Sequence, residues 1–195
     1  MKFYNYINED KNNIVAIYSG RFQPFHQNHY LVYKDLLKEF GNSNCYIATS
    51  NKTEPKKSPF NFNEKKKIIT ALFDVPKNKV IQIKNPYSPE EILKKYPENY
   101  SYVTAVGGKD ADRLTHGKYF EVYKKGMELE GYKNKGYCWI IPNKMTKYKG
   151  QMISGTLVRD TFKTVGNKEA KDFFMTLFGN WNESIFNLII KKLGA

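Results

Sequence analysis

Apolar residues occur in short dense runs separated by polar stretches, and the runs alternate between two periods. IVAIYS (14–19) is a continuous apolar block of strand length, and HYLVYKDLLKEF behind it sets Leu31, Leu36, Leu37 and Phe40 on one helix face. The pairing recurs with CYIATS (45–50) before NFNEKKKIITALF (61–73). It recurs again with KVIQIK (79–84) before SPEEILKKY (88–96), where Ser88 stands at a cap position and Pro89 in the first turn. SYVTAVGG (101–108) reads as a fourth strand, and YCWIIP (137–142) as a fifth after a helical stretch near KYFEVYKKGMELE. TLVRDTFKT, KEAKDFFMTLF and ESIFNLIIKKL then read as helices separated by Gly and Asn.

Alternating strands and helices predict an α/β fold: an open parallel sheet of about five strands, joined by right-handed crossovers, with helices on both faces and a helical C-terminal end. Sheets of this kind bind ligands at the carboxyl ends of their strands. The expected organisation is one domain over 1–162, with a helical extension over 163–195 packed on it. Apart from the alternating unit there is no internal repeat.

Composition narrows the picture modestly. A chain of 195 residues with 41% hydrophobic and 15% aromatic content can bury a sizeable core. No apolar run reaches the roughly 18 residues that cross a bilayer, and the opening MKFYNYINEDKNN lacks the apolar centre of a secretory signal, so a cytoplasmic protein without a membrane partner is expected. Cys45 and Cys138 fit no zinc spacing and read as buried, reduced thiols. The net charge of +13 points to an anionic partner without separating nucleic acid, membrane surface and nucleotide. Lys65, Lys66 and Lys67 read as a solvated helix face.

The candidate chemistry lies in GRFQPFHQNH (20–29), at the turn between the first strand and the first helix. Free backbone N–H groups and the helix dipole favour an anion there. Gly20 lets a ligand approach the backbone, Pro24 stiffens the turn, and Arg21 offers a forked donor. His26 and His29, three apart, can donate to one phosphate group. Two other readings remain for the histidines: a zinc pair, for which no nearby Cys, Asp or Glu completes the ligand set, and simple capping or packing. MISGTLVRDTF (152–162) supplies a second helix start, with Ser154 or Thr156 as cap and Arg159 one turn in. Caps followed by a basic residue are usually structural, so this motif matters through its pairing with the first.

Together GRFQPFHQNH and ISGTLVR resemble the HxGH nucleotidyltransferase superfamily, whose members have a Rossmann-like fold. The wording GRFQPFH is most similar to nicotinamide mononucleotide adenylyltransferases of the archaeal type. SPFNFNEKKKII (58–69) is similar to those enzymes' NPFTAGER segment, with Pro59, Phe60 and Glu64 matching and Lys65 where they carry Arg. Asn28 stands where the superfamily signature has Gly, and VGGKDADRLTHGKYF (106–120) is only loosely like its Gly-x-Asp turn.

The resemblance implies adenylyl transfer from ATP to nicotinamide mononucleotide, giving NAD and pyrophosphate. A cytidylyltransferase, or an adenylyltransferase acting on another phosphorylated acceptor, is the alternative. An inactive nucleic-acid-binding module is a second, although no aromatic-basic RNA motif is present. His26 and His29 would contact the triphosphate, and Ser154 and Thr156, with Ile153, Gly155 and Arg159, would hold its outer phosphates. Gly20, Arg21, Phe22 and Gln23 would face the nucleotide, and Gly107, Gly108 and Asp110 would lie near its ribose and base.

The reaction needs no protein nucleophile but does need fixed cationic donors, a role matched by Arg21, His26, His29, Lys65 and Arg159. Mg²⁺ is expected through the nucleotide's phosphates, without a dedicated protein metal site. Trp139 suits stacking on a nicotinamide ring or a place in the core. Lys52, Lys56 and Lys57 suit an acceptor phosphate or plain solvent. The helical end leaves room for self-assembly into a homo-oligomer.

Overall fold

The first apolar block forms β1 (Ile14–Ser19), followed by α1 (Gln27–Phe40), β2 (Cys45–Thr49), α2 (Phe62–Leu72) and β3 (Val80–Gln82). Then come α3 (Glu90–Leu93), β4 (Ser101–Val106), α4 (Gly108–Thr115), β5 (Phe120–Val122) and β6 (Gly136–Ile140). The chain continues through β7 (Lys147–Tyr148), β8 (Gln151–Met152), α5 (Gly155–Thr164), α6 (Asn167–Phe178) and α7 (Glu183–Leu193). These elements come from a computed structural model, which describes residues 13–142 and 147–194. The opening segment read against a signal peptide therefore lies almost wholly outside the described residues.

Six strands form one sheet in the order β3-β2-β1-β4-β6-β5. β1 runs parallel to β2 and β4, and β6 runs parallel to β4 and β5. The order turns back at β1, so right-handed crossovers carry helices to both faces: a doubly wound, Rossmann-like arrangement. In β4 every residue is buried, and in β1 Ile14–Tyr18 are, the signature of central strands covered on both sides.

By their contacts the residues group into two compact units. The first comprises the described residues of 1–20 together with 32–48 and 81–142. One core cluster within it joins Val15 and Ile17 of β1, Ile92 and Leu93 of α3, Tyr102 and Val106 of β4, and Ala111 of α4. The second comprises 21–31, 49–80 and the described residues of 143–195. Its interior is aromatic: Phe25 meets Phe73 at 5.2 Å, Phe73 meets Phe178 at 6.3 Å, and Phe173 and Phe174 are fully buried.

Three expectations need correction. The stretch near KYFEVYKKGMELE is not a helix: Phe120–Val122 is edge strand β5, which makes the sheet six-stranded instead of about five. Gly126 at φ 81° lies in the left-handed region, where a helix cannot continue. The helix lies upstream as α4, with Gly107 at its N-cap and Gly108 as its first residue, so β4 ends at Val106. SPEEILKKY shortens to α3 with Pro89 at the cap position and no side-chain capping bond there, while the Ser88 carbonyl accepts from Glu90 N at 2.9 Å. The hairpin β7–β8 carries too few residues to show a period. Among the described residues no helix is long and apolar enough to cross a membrane.

Candidate active site

The turn 21–26 is built from an unusual backbone. Phe22 has φ 45°, in the left-handed region that costs a bulky side chain about 1–2 kcal/mol, and the Gln23–Pro24 peptide is cis. Packing and polar clamps hold this shape. Phe22 is buried, with its ring edge-on to Phe25 and to His29, both at 5.1 Å. The buried Gln23 amide makes a two-way pairing with one residue: Nε2 donates to Phe60 O and Oε1 accepts from Phe60 N, both at 2.9 Å.

His26 stands at the start of α1, its carbonyl accepting from Tyr30 N at 3.1 Å. His29 folds back so that its Nδ1 accepts from the His26 amide at 3.2 Å, as the third residue of a capping box does. An accepting Nδ1 needs its lone pair, so the His29 ring is neutral with its proton on Nε2. Burial, then the neighbouring His26, holds its pKa well below the ordinary value, in agreement with that geometry although the ring keeps some surface exposure. The two imidazoles lie 3.8 Å apart, centroid to centroid. His26 is 3% exposed, burial lowers its pKa to about 4, and its Nδ1 has no hydrogen-bond partner among the described residues.

Both flanking helices reach this turn with a cation. On α2, Lys65 is buried, and its Nζ donates to Thr49 Oγ1 at 2.9 Å, Arg21 O at 3.3 Å and Ser50 O. Burial lowers its pKa to about 8. On α5, Arg159 Nη1 reaches Gln23 O at 3.5 Å and Nη2 reaches Thr156 Oγ1 at 3.2 Å. A Cβ on Gly155 would sit 3.1 Å from that Nη1, so the glycine leaves room for the guanidinium. Ser154 is the N-cap of α5, its Oγ accepting from Leu157 N at 3.2 Å, and Ile153 before it is buried. Of the two hydroxyls proposed as cap, Ser154 holds the position and Thr156 belongs to the first turn.

Two sequence readings change here. Lys65 is no part of a solvated face; only Lys66 and Lys67 keep that character, one 5.7 Å from the Phe62 ring and the other bonded to Ser184 Oγ. Of the five side chains read as cationic donors, His26 and His29 are neutral at rest, and Lys65 spends its three protons on protein oxygens. Arg21 is exposed and Arg159 half-buried, so of the five these two keep a charge open to solvent.

Other residues matter that the reading of the sequence left out. Asn61 and Glu64 form a reciprocal capping box on α2, which fixes the segment carrying Phe60. From α7, Lys192 Nζ pairs with Glu64 at 2.9 Å and donates to Pro59 O at 3.3 Å, tying the same segment to the last helix. The capping box could have been read from the Asn-x-x-Glu spacing. Thr49, Ser50 and Lys192 carry no sequence signal.

His26, His29, Arg21, Phe22, Gln23, Lys65, Ile153, Ser154, Gly155, Thr156 and Arg159 all belong to the second unit, whereas Gly20, Gly107, Gly108, Asp110 and Trp139 belong to the first. Within the first unit, Asp110 pairs with Arg113 at 2.9 Å, and Arg113 also donates to Tyr87 OH at 2.6 Å. Trp139 lies edge-on to Phe40 at 6.2 Å. Lys52 and Lys56 are exposed, and Lys57 pairs with Glu54. Among the described residues there is no cluster of three or more His, Cys, Asp or Glu suited to a metal ion.

Residues 17–161, which run from β1 through most of α5, match the cytidylyltransferase-like family. The chain belongs to this family. One relative of this cytidylyltransferase-like chain is a nicotinamide-nucleotide adenylyltransferase of Methanolobus tindarius, 38% identical over 50 residues. That match covers 26% of this chain and only 29% of the relative's length. Among solved structures, the Plasmodium falciparum nicotinic acid mononucleotide adenylyltransferase complexed with APC superposes with a TM-score of 0.55 at 11% identity, over 92% of this chain and 95% of the other. A bifunctional NMN adenylyltransferase/ADP ribose pyrophosphatase from Francisella tularensis gives 0.57 at 15% identity, over 92% of this chain and 49% of the other. At these identities the structural matches establish the fold of the cytidylyltransferase-like chain, which is Rossmann-like.

Proposed function

We propose that this chain is a nucleotidyltransferase that joins ATP to nicotinamide mononucleotide, forming NAD and releasing pyrophosphate. The observation that carries the reading is the convergence, within one unit, of the closely paired His26 and His29 rings and the Ser154-capped helix whose Arg159 reaches the carbonyl of Gln23. A buried imidazole nitrogen without a partner among the described residues, at a helix start whose preceding turn is reached by a guanidinium, is an arrangement for phosphate oxygens. Family membership and the names of the relatives support the same chemistry.

In the reaction an oxygen of the acceptor's phosphate attacks the α-phosphorus of ATP, the bond to the β-phosphate oxygen breaks, and pyrophosphate leaves with that electron pair. Charge accumulates on groups that are already anionic. His26 and His29 would act as neutral donors preset at short range, with Arg159 and the N-terminus of α5 holding the departing phosphates. Neutral imidazoles already held in place need little reorganisation, and their hydrogen bonds strengthen as the oxygens gain charge. The nitrogen and hydroxyl donors here suit phosphate oxygens better than a hard cation, so the Mg²⁺ that accompanies the triphosphate would be held through its phosphates. Its contribution there is charge neutralisation.

The family's cytidylyltransferase character favours a second reading, CTP with a different phosphorylated acceptor. Pyrophosphate release measured with Mg²⁺, for ATP and CTP each against nicotinamide mononucleotide and a panel of phosphomonoesters, separates the two. Release with ATP and the mononucleotide alone is expected. Release only with CTP moves the substrate, and no release from any pair, with salt-sensitive oligonucleotide binding, favours a nucleic-acid-binding module instead.

A further inference from the structure

Lys65 is a charged side chain 1% exposed, on a helix where its neighbours Lys66 and Lys67 point their charges outward. Burying an ammonium is tolerated only when its protons are satisfied, and here three oxygens satisfy them. The acceptors come from two places. Thr49 ends the second strand and Ser50 follows it, while Arg21 O opens the histidine turn. Thr49 Oγ1 accepts from Lys65 and donates onward to Arg21 O at 3.4 Å, so the carbonyl is held twice.

That carbonyl belongs to the peptide immediately before Phe22, the residue with φ 45°. A left-handed aromatic residue persists only where its surroundings over-determine it. Held by Lys65 and Thr49 on one side and by the Gln23–Phe60 pairing on the other, Phe22 places its ring edge-on to His29 at 5.1 Å. A continuous chain of contacts therefore runs from the Lys65 ammonium through the Arg21 carbonyl and Phe22 to the His29 imidazole.

We propose that Lys65 is a positioning residue: its buried ammonium fixes the Arg21–Phe22 peptide and thereby sets the His29 ring, without touching the nucleotide. Its catalytic consequence rests on the transferase reading, but its geometric consequence does not. In Lys65→Met the side-chain volume is kept and the tether is lost. Phe22 then relaxes toward ordinary backbone angles and releases His29.

The chain has three histidines, so their ring signals can be resolved by ¹⁵N-labelled NMR. In the wild type His29 shows a neutral ring with Nδ1 unprotonated and does not titrate near 6.5. In Lys65→Met it titrates closer to 6.5, kcat for pyrophosphate release falls by about tenfold to a hundredfold, and KM for ATP stays within about threefold. A variant that loses thermal stability but keeps the wild-type His29 spectrum and kcat overturns the proposal, since that pattern belongs to a merely structural lysine. So does a rise in KM alone, which marks direct nucleotide contact. Should Lys65→Met fail to fold, Thr49→Val removes the bridging hydroxyl at little change in shape; a shifted His29 titration is expected, and an unchanged one overturns the proposal. If no substrate pair reacts even with the wild type, the transferase reading fails while the His29 spectra still decide the positioning role.

Discussion

The two units divide the chain's charge very unequally. The first holds 14 Lys and Arg against 12 Asp and Glu, a net +2, whereas the second holds 18 against 7, a net +11. The first is organised by burial: continuous apolar strands form a sheet whose polar surface is balanced in sign. The second carries a large surplus of positive charge and holds a turn that keeps an imidazole, an ammonium and an amide buried. One unit thus shows how a parallel sheet is made, and the other how a turn is held in shape, by pinning carbonyls with cations and keeping histidines neutral.

The largest test of that contrast lies in the sheet. Ile17→Ala, at a fully buried position of β1, should cost about 2–5 kcal/mol in denaturant unfolding and leave nucleotide affinity of the folded fraction unchanged. A matching loss of affinity would mean that the sheet core and the anion site are not separable. Next is pH. Because His26 is held near 4 in the folded state against 6.5 when unfolded, its contribution is full above about pH 6.5 and is lost as pH falls from there through 4. That loss is about 3 kcal/mol, taken at about 1.4 kcal/mol per pKa unit. His26→Gln should flatten the unfolding free energy over this window; an unchanged slope would show that His26 is not the buried neutral group described.

In the second unit, His29→Ala should lower turnover at least about a hundredfold, by loss of a charge-stabilising donor, and cost about 1 kcal/mol in stability through the lost cap. Near-normal turnover would remove it from the site. Arg159→Ala should have the smallest effect, about a tenfold weaker triphosphate affinity by calorimetry, in proportion to one charge-assisted contact. Unchanged affinity would leave Arg159 as no more than a clamp on the Gln23 carbonyl.

The difference between the units also explains what could be read in advance. β1 and α7 were legible to the residue, and β2, β4 and α6 nearly so, because burial imposes a period on the residues that form them. The histidine turn was legible from its position between a strand and a helix. The direction in which its side chains act was not. Lys65 looks like its two neighbours, and only the fold reveals that the acceptors Arg21 O, Thr49 Oγ1 and Ser50 O surround it. Two of those are backbone carbonyls, which every residue possesses and no sequence marks. The neutral His29 likewise depends on a bond to a backbone amide. Edge strand β5 was missed because three residues are too few to display alternation.

Lys192 links these observations to the order in which the protein is made. Its bonds to Pro59 and Glu64 secure the segment whose Phe60 grips Gln23, and it sits on the last helix described. A ribosome delivers residues 20–29 early and α7 more than 150 residues later. During synthesis the sheet strands can therefore assemble while the histidine turn still lacks one of its anchors. A nascent chain stalled short of α7 lacks the Lys192 bonds to Pro59 and Glu64, and with them one anchor of the segment that grips Gln23.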